Sequence, residues 1–237
     1  MKNNIIANVI LGCTLFVISC TSISKKEISD KSTESTVYDR SRDVPVPDFG
    51  LQILKEGNDR FVKNKALADN ISPEKRKQLK EKGQKPFAII LTCSDSRVPP
   101  EIIFDQGLGD LFVVRVAGNI IDSVVMGSIE YAVEHLHSSL IVVLGHEKCG
   151  AVTAAVDGGD VPGSIPAICQ RIKPIVTNAR KTVMDKEQLV VKVIEGNVEE
   201  NVALLQHNKL LKETSELGKL KIIGGVYHLE SGEVTFK

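Results

Sequence analysis

Apolar residues fall along the chain in two distinct patterns. Phe49, Ile53, Leu54 and Phe61 recur near helical spacing, which predicts an amphipathic helix from Pro47 to about Val62, with Pro45 and Pro47 punctuating its entry. Ser72-Pro73-Glu74 predicts the start of a second helix, because a serine hydroxyl can cap the first free amides and proline fits the first turn. Phe87–Leu91, Leu111–Val114 and Leu140–Leu144 are short and apolar throughout. A strand with one wet face would alternate, so runs without alternation predict strands buried on both faces of a parallel sheet. Between the last two, Ser123–His137 places Val124, Ile129, Ala132, Val133 and Leu136 at spacings that suit a helix packed on that sheet, and strand, helix, strand in that order implies a right-handed crossover. Ser164 to about Leu217 reads as helix in two or three pieces. The closing LKIIGGVYHLESGEVTFK reads as a strand, a turn at Ser231-Gly232 and an edge strand. The expected fold class is α/β: a mostly parallel central β-sheet flanked by helices.

The N-terminal pattern is different. Met1-Lys2 is a positive start, and Ile5 to Ile18 is mostly apolar before Ser19-Cys20. That run is shorter than the roughly 20 apolar residues a bilayer span needs, so residues 1–19 read as an export signal peptide. The tetrapeptide Val17–Cys20 resembles a bacterial lipoprotein cleavage site, which implies a lipid on Cys20; the alternative is an ordinary secretory signal in which Cys20 is incidental. From Thr21 to about Asp43 the chain is rich in Ser, Thr, Lys, Glu and Asp and cannot bury enough surface to offset its ordering entropy. Residues 20–46 thus read as a lipidated cysteine and flexible tether, and 47–237 as the domain. The expected location is exported and membrane-anchored through lipid, facing the periplasm, with Cys13 leaving in the signal. A chain of 237 residues at 42% hydrophobic content can bury a full core. Lys+Arg and Asp+Glu both total 30, so the net charge is +0, and without a basic block no nucleic-acid partner is expected.

Chemistry concentrates at two strand ends. Directly behind the first apolar run, LTCSDSRVPP supplies Cys93, Asp95 and Arg97. The third run ends in LGHEKCGAV, with His146 and Cys149 three apart. Loops at the carboxyl ends of parallel strands are where open α/β sheets collect ligands. Two thiolates and one imidazole form a zinc set, and three protein ligands leave a fourth position for water or substrate. The alternative for an exported protein is a Cys93–Cys149 disulfide. Asp95 can swing onto the metal's open position as a fourth ligand in a closed state, or accept a hydrogen bond from metal-bound water. Arg97, with its forked and permanent charge, can hold that carboxylate away. Cys169 reads as a buried apolar residue, and His135, His137, His207 and His228 as surface or core histidines.

The segments CSDSRVPPE, DLFVVRVAGN (Asp110 to Asn119), SIEYAVEHL (Ser128 to Leu136) and VVLGHEKCGAV resemble the β-class carbonic anhydrases, with their C-x-D-x-R and H-x-x-C signatures in this order; the likeness covers about Phe49 to the C-terminus. It implies reversible hydration of carbon dioxide to bicarbonate and a proton by attack of zinc-bound hydroxide. One Zn2+ per subunit would be held by Cys93, His146 and Cys149, with Asp95 and Arg97 as the catalytic dyad. By position it also implies Gln84 as a substrate hydrogen-bonding residue, Phe112 and Tyr131 as pocket lining that acts across a subunit interface, and Gly118 and Gly150 as glycines that admit backbone to the site. A homodimer or larger homo-oligomer follows from the same likeness. Ile90 stands where an allosteric subclass has tryptophan, which implies the plant-like group, although Arg115 matches the arginine of that subclass's bicarbonate site and Val116 replaces its neighbouring asparagine. Relatives acting on heterocumulenes such as carbon disulfide share these signatures and stay open as an alternative, as does a non-catalytic disulfide-bonded lipoprotein.

Overall fold

The computed structural model describes residues 45–67 and 71–237; the signal, Cys20 and the tether up to residue 44 lie outside them. Helix α1 (Pro47–Val62) and α2 (Pro73–Lys82) precede strand β1 (Ala88–Thr92). A short α3 (Pro100–Ile103), β2 (Leu111–Arg115), α4 (Ser123–Glu134), β3 (Leu140–His146) and α5 (Gly150–Asp157) follow. Then come α6 (Ile165–Ala179), α7 (Lys186–His207), α8 (Lys209–Glu216), β4 (Lys221–Tyr227) and β5 (Val234–Phe236). Ser72 caps α2 as expected, its hydroxyl accepting from the Lys75 amide at 3.1 Å. The sheet runs β2-β1-β3-β4-β5. Its first four strands are parallel, and β5 pairs antiparallel to β4 at the edge.

Successive residues of β1 point to opposite faces, and both faces are dry. Ile90 packs with Leu54, Phe87, Ile103 and Phe104 on the α1/α3 side. Ile89 and Leu91 pack with Ile129, Val133, Val198 and Leu211 on the α4/α7/α8 side. This double burial explains the missing polar alternation in the sequence. Two expectations for the fourth helix need correction. It ends at Glu134 rather than His137, because His137 takes a left-handed conformation (φ 58) that breaks the helical path into β3. Val124, expected against the sheet, is 75% exposed, since it lies in the first turn on the solvent side.

Helix α7 reaches the sheet because β3 and β4 carry glycines beneath it. A Cβ built on Gly145 would stand 2.7 Å from Val198, and one on Gly224 only 2.6 Å from it. Gly224→Ala therefore forces α7 off the sheet and costs about 1–3 kcal/mol by urea denaturation. Adding Val198→Ala gives a double variant destabilised by less than the sum of the single changes.

Candidate metal centre

In the strand order β2-β1-β3, the chain leaves β1 in one direction and returns on its other side, so a crevice opens beyond the carboxyl ends of β1 and β3. Thr92 lies in register with Leu144, and its hydroxyl donates to the Leu144 carbonyl at 2.9 Å, which holds the two strand ends level. Cys93 is the first residue past β1, and His146 closes β3. Lys148 then turns the chain through a left-handed conformation (φ 50), so that Cys149, the residue capping α5, faces back toward the strands. One ligand atom from each of Cys93, His146 and Cys149 lies within 4.8 Å of the others, and all three residues are buried.

The imidazole gives the clearest test of whether a metal fits. His146 is wholly buried, and its Nδ1 stands 2.8 Å from the Glu147 carbonyl. A carbonyl only accepts, so Nδ1 carries the proton and Nε2 presents a lone pair. That Nε2 is buried without a hydrogen-bond partner, a costly arrangement for a polar atom unless a cation answers it. The sulfurs of Cys93 and Cys149 are 4.0 Å apart, and both cysteines are free rather than bridged. At that distance either thiol can donate a shared proton to the other sulfur. The Cys149 thiol, then His146 and the Gly118 amide, hold Cys93 well below an ordinary thiol, whereas Cys93 and burial push Cys149 up. A divalent ion would replace that shared proton and keep both sulfurs as thiolates. The donor set and its supporting hydrogen bonds, from Nδ1–H to a carbonyl and from the Gly118 amide to Cys93 Sγ at 3.3 Å, fit zinc.

Asp95 and Arg97 form a forked pair. Arg97 Nε donates to Oδ1 at 2.9 Å and Nη2 to Oδ2 at 2.7 Å, while the Arg97 amide also donates to Oδ1. These bonds hold the Asp95 carboxyl far below the usual carboxylate range. Its Oδ2 is 3.9 Å from His146 Nε2, so the dyad borders the three donors. Arg115 serves the main chain, donating to the carbonyls of Cys93 at 3.2 Å and Asp95 at 2.6 Å. Gly118 has a structural reason: φ is 72, and a Cβ there would stand 3.0 Å from Ile172. Gly150, by contrast, has open space around it within this chain.

The remaining expected residues gather elsewhere. Phe112 pairs with Ile89, three residues before the end of β1, and its ring is 6.3 Å from that of Tyr131. Gln84 precedes β1 altogether and lines a cavity of about 610 Å3 with Val133 and His135. None of the three joins the donor cluster in its own chain. Several supporting residues went unread in the sequence. Glu147 is held by His228 at 2.8 Å and by the Leu229 amide at 3.0 Å. Asn197 and Asn201 are buried on α7, and two asparagines four apart among apolar residues were the signal that could have pointed to them.

Fold and site together define an α/β protein with a cysteine–histidine–cysteine cluster that could hold a metal ion at the switch point of a mostly parallel sheet. Residues 88–234 match the family model described as carbonic anhydrase. The chain is 44% identical over 196 residues to carbonic anhydrase 2 of Mycobacterium tuberculosis, spanning 81% of this chain and 93% of that protein. The figures are the same for a carbonic anhydrase of Mycolicibacterium smegmatis. Among solved structures, it superposes on one of the tetrameric β-carbonic anhydrases of Sordaria macrospora with a TM-score of 0.66 at 27% identity, covering 80% of this chain and 96% of that one. A Coccomyxa β-carbonic anhydrase in complex with acetazolamide gives 0.64 at 26%, covering 78% and 85%. The chain belongs to the carbonic anhydrase family, in its β class, and is an enzyme of that family's reaction, the reversible hydration of carbon dioxide to bicarbonate.

Proposed function

We propose that this reaction runs at the crevice beyond β1 and β3, with Cys93, His146 and Cys149 holding one zinc ion per subunit. The observation that carries this reading is the buried, unpartnered Nε2 of His146 facing two sulfurs, all within 4.8 Å. Zinc bound there would supply Lewis acidity and make water more acidic and nucleophilic than it is in bulk. Asp95, ionised at every working pH because Arg97 clamps both its oxygens, accepts a hydrogen bond from the attacking water and orients it. Arg97 would keep the carboxylate off a bound metal, and release of that clamp would free Asp95 to serve as a fourth ligand. Two thiolates cancel the charge of a divalent ion, where three imidazoles would leave it whole. This donor set therefore favours activity that rises into the alkaline range.

Gln84, Phe112 and Tyr131 serve the site of a second copy. Phe112 and Tyr131 sit together on β2 and α4, at the open edge of the sheet, where Tyr131 is 48% and Val124 75% exposed, and Gln84 lines a cavity with Val133 and His135 of the same α4 region. Pairing along this edge would cover the exposed apolar side chains and carry the lining of one subunit toward the metal of the other. The same pairing gives a homodimer or larger homo-oligomer. At the N-terminus, the apolar run and Cys20 support an exported lipoprotein held at a membrane surface and facing the periplasm, because stable anchoring needs more than one lipid chain.

Three outcomes are expected. Asp95→Asn keeps about one zinc per chain by atomic absorption and loses roughly 10²–10⁴-fold in stopped-flow carbon dioxide hydration; equal losses of zinc and turnover would remove the gating role. Val124→Asp, in an unpartnered first helical turn, shifts the protein to monomer in light scattering and lowers kcat/KM while zinc stays bound; an unchanged oligomer would reject the β2/α4 edge as the interface. In a bacterial host, labelled fatty acid enters the full chain and is absent from Cys20→Ala, and label in both would exclude that anchor.

A further inference from the structure

The centre is backed by a polar feature that neither ligands nor dyad explain. After β2 the chain makes a one-turn 3-10 helix, Ala117–Asn119, in which Gly118 (φ 72) and Asn119 (φ 43) are both left-handed. Glycine and asparagine are the residues that take this conformation most easily, and the turn's buried amides and carbonyls still need partners. The Gly118 amide from this turn donates to Cys93 Sγ at 3.3 Å. Its carbonyls are met from α7: Asn197 Nδ2 donates to the Gly118 carbonyl at 2.8 Å, and Asn201 Nδ2 to the Asn119 carbonyl at 3.2 Å. Asn201 also donates to the Asn197 carbonyl at 2.8 Å, which links the two asparagines. Both are buried, at 3% and 6% exposure, on a helix face otherwise made of Leu189, Val193, Ile194, Val198 and Leu205. Burying two carboxamides in that face is unfavourable unless each has partners, and the partners are the turn that touches the sulfur.

We propose that Asn197 is a positioning residue for the metal centre: acting through the Ala117–Asn119 turn, it holds the Gly118 N–H on Cys93 and thereby sets how much electron density that sulfur gives to the metal. The inference rests on the reading of Cys93 as a ligand. An N–H pointed at a thiolate stabilises its negative charge and makes it a weaker electron donor. Without Asn197's donor, the Gly118 carbonyl is left buried and unpaired, the turn relaxes, and Cys93 becomes a stronger, less oriented donor.

The test uses the full chain loaded with cobalt and, separately, with cadmium-113. In wild type, cobalt should give a thiolate-to-metal charge-transfer band; its absence would count against Cys93 as a ligand and leave the role of Asn197 without a basis. Asn197→Leu has nearly the same shape but donates nothing to a carbonyl. With the wild-type band present, this variant should shift the band to longer wavelength and release metal to a chelator about 10- to 100-fold faster. A merely structural role would lower the melting temperature and leave the band where it was, and that result overturns the proposal. Should Asn197→Leu fail to fold, Asn197→Ser, which keeps a donor on a shorter arm, should show a smaller shift in the same direction, and no shift overturns the proposal. In nitrogen-15-labelled wild type with cadmium, the Gly118 amide proton should couple to the metal through its hydrogen bond to sulfur. A missing coupling overturns the proposal whatever the variants do.

Discussion

Three soft donors meet in this chain because two parallel strands end side by side. The register that pairs Thr92 with Leu144 places Cys93 one residue beyond one strand and His146 two residues beyond Leu144 on the other. The Thr92 hydroxyl on the Leu144 carbonyl stops the strands from sliding relative to each other. A slip of one residue would reverse the faces of the strand and carry its ligand to the wrong side. The site therefore depends on the same register that buries Ile89, Ile90 and Leu91, and the packing of the core is what aims the ligands.

Around that register the polar groups divide into those that fix the main chain and those left for chemistry. Arg115 spends its hydrogen bonds on the carbonyls of Cys93 and Asp95, and Asn197 and Asn201 spend theirs on Gly118 and Asn119. Glu147 is tied to His228 and Leu229, which joins the loop between His146 and Cys149 to the far hairpin. The groups that remain at the centre are two sulfurs, one imidazole lone pair and a carboxylate already gripped by Arg97. A site built this way has little left to reorganise when charge develops in it, the condition under which fixed dipoles are most effective.

Much of this was legible in the sequence, and the reasons differ by element. β1 and β3 were readable as buried strands because a strand wet on one face must alternate and these did not; β2, expected to be buried on both faces as well, is a strand but lies at the sheet edge and is only partly buried beyond Leu111. The meeting of Cys93, His146 and Cys149 was readable because carboxyl-end loops of parallel strands converge, so a cysteine after one apolar run and H-x-x-C after another imply a single point. The short helices α3 and α5 were not, since four and eight residues carry too little periodicity to register. Val124 misled because its spacing fits the buried face of α4, yet it lies in the opening turn, where the chain has not yet reached the sheet. The two asparagines of α7 could be noticed as polar residues four apart on an apolar face, but their role could not, because their partners are main-chain carbonyls of a distant turn and carbonyls leave no mark in a sequence.

Gln84, Phe112 and Tyr131 show a different limit. Each matched the family by position, yet within the single chain none reaches the donor cluster: Phe112 pairs with Ile89 and meets Tyr131, and Gln84 precedes β1 and lines a separate cavity. A match by position reports that a side chain is required, but not in which copy of the chain it acts. A second subunit on the β2/α4 edge would account for their separation from Cys93, since among the described residues no strand pairs with the outer side of β2, and Tyr131 and Val124 are exposed. An apolar substrate such as carbon dioxide needs an apolar wall beside the charged centre, and the chain's own centre is walled on its protein side by Ile120, Val152 and Ile172. The partner's aromatic pair would supply the wall on the open side, so oligomerisation and catalysis would be one requirement met by the same edge strand.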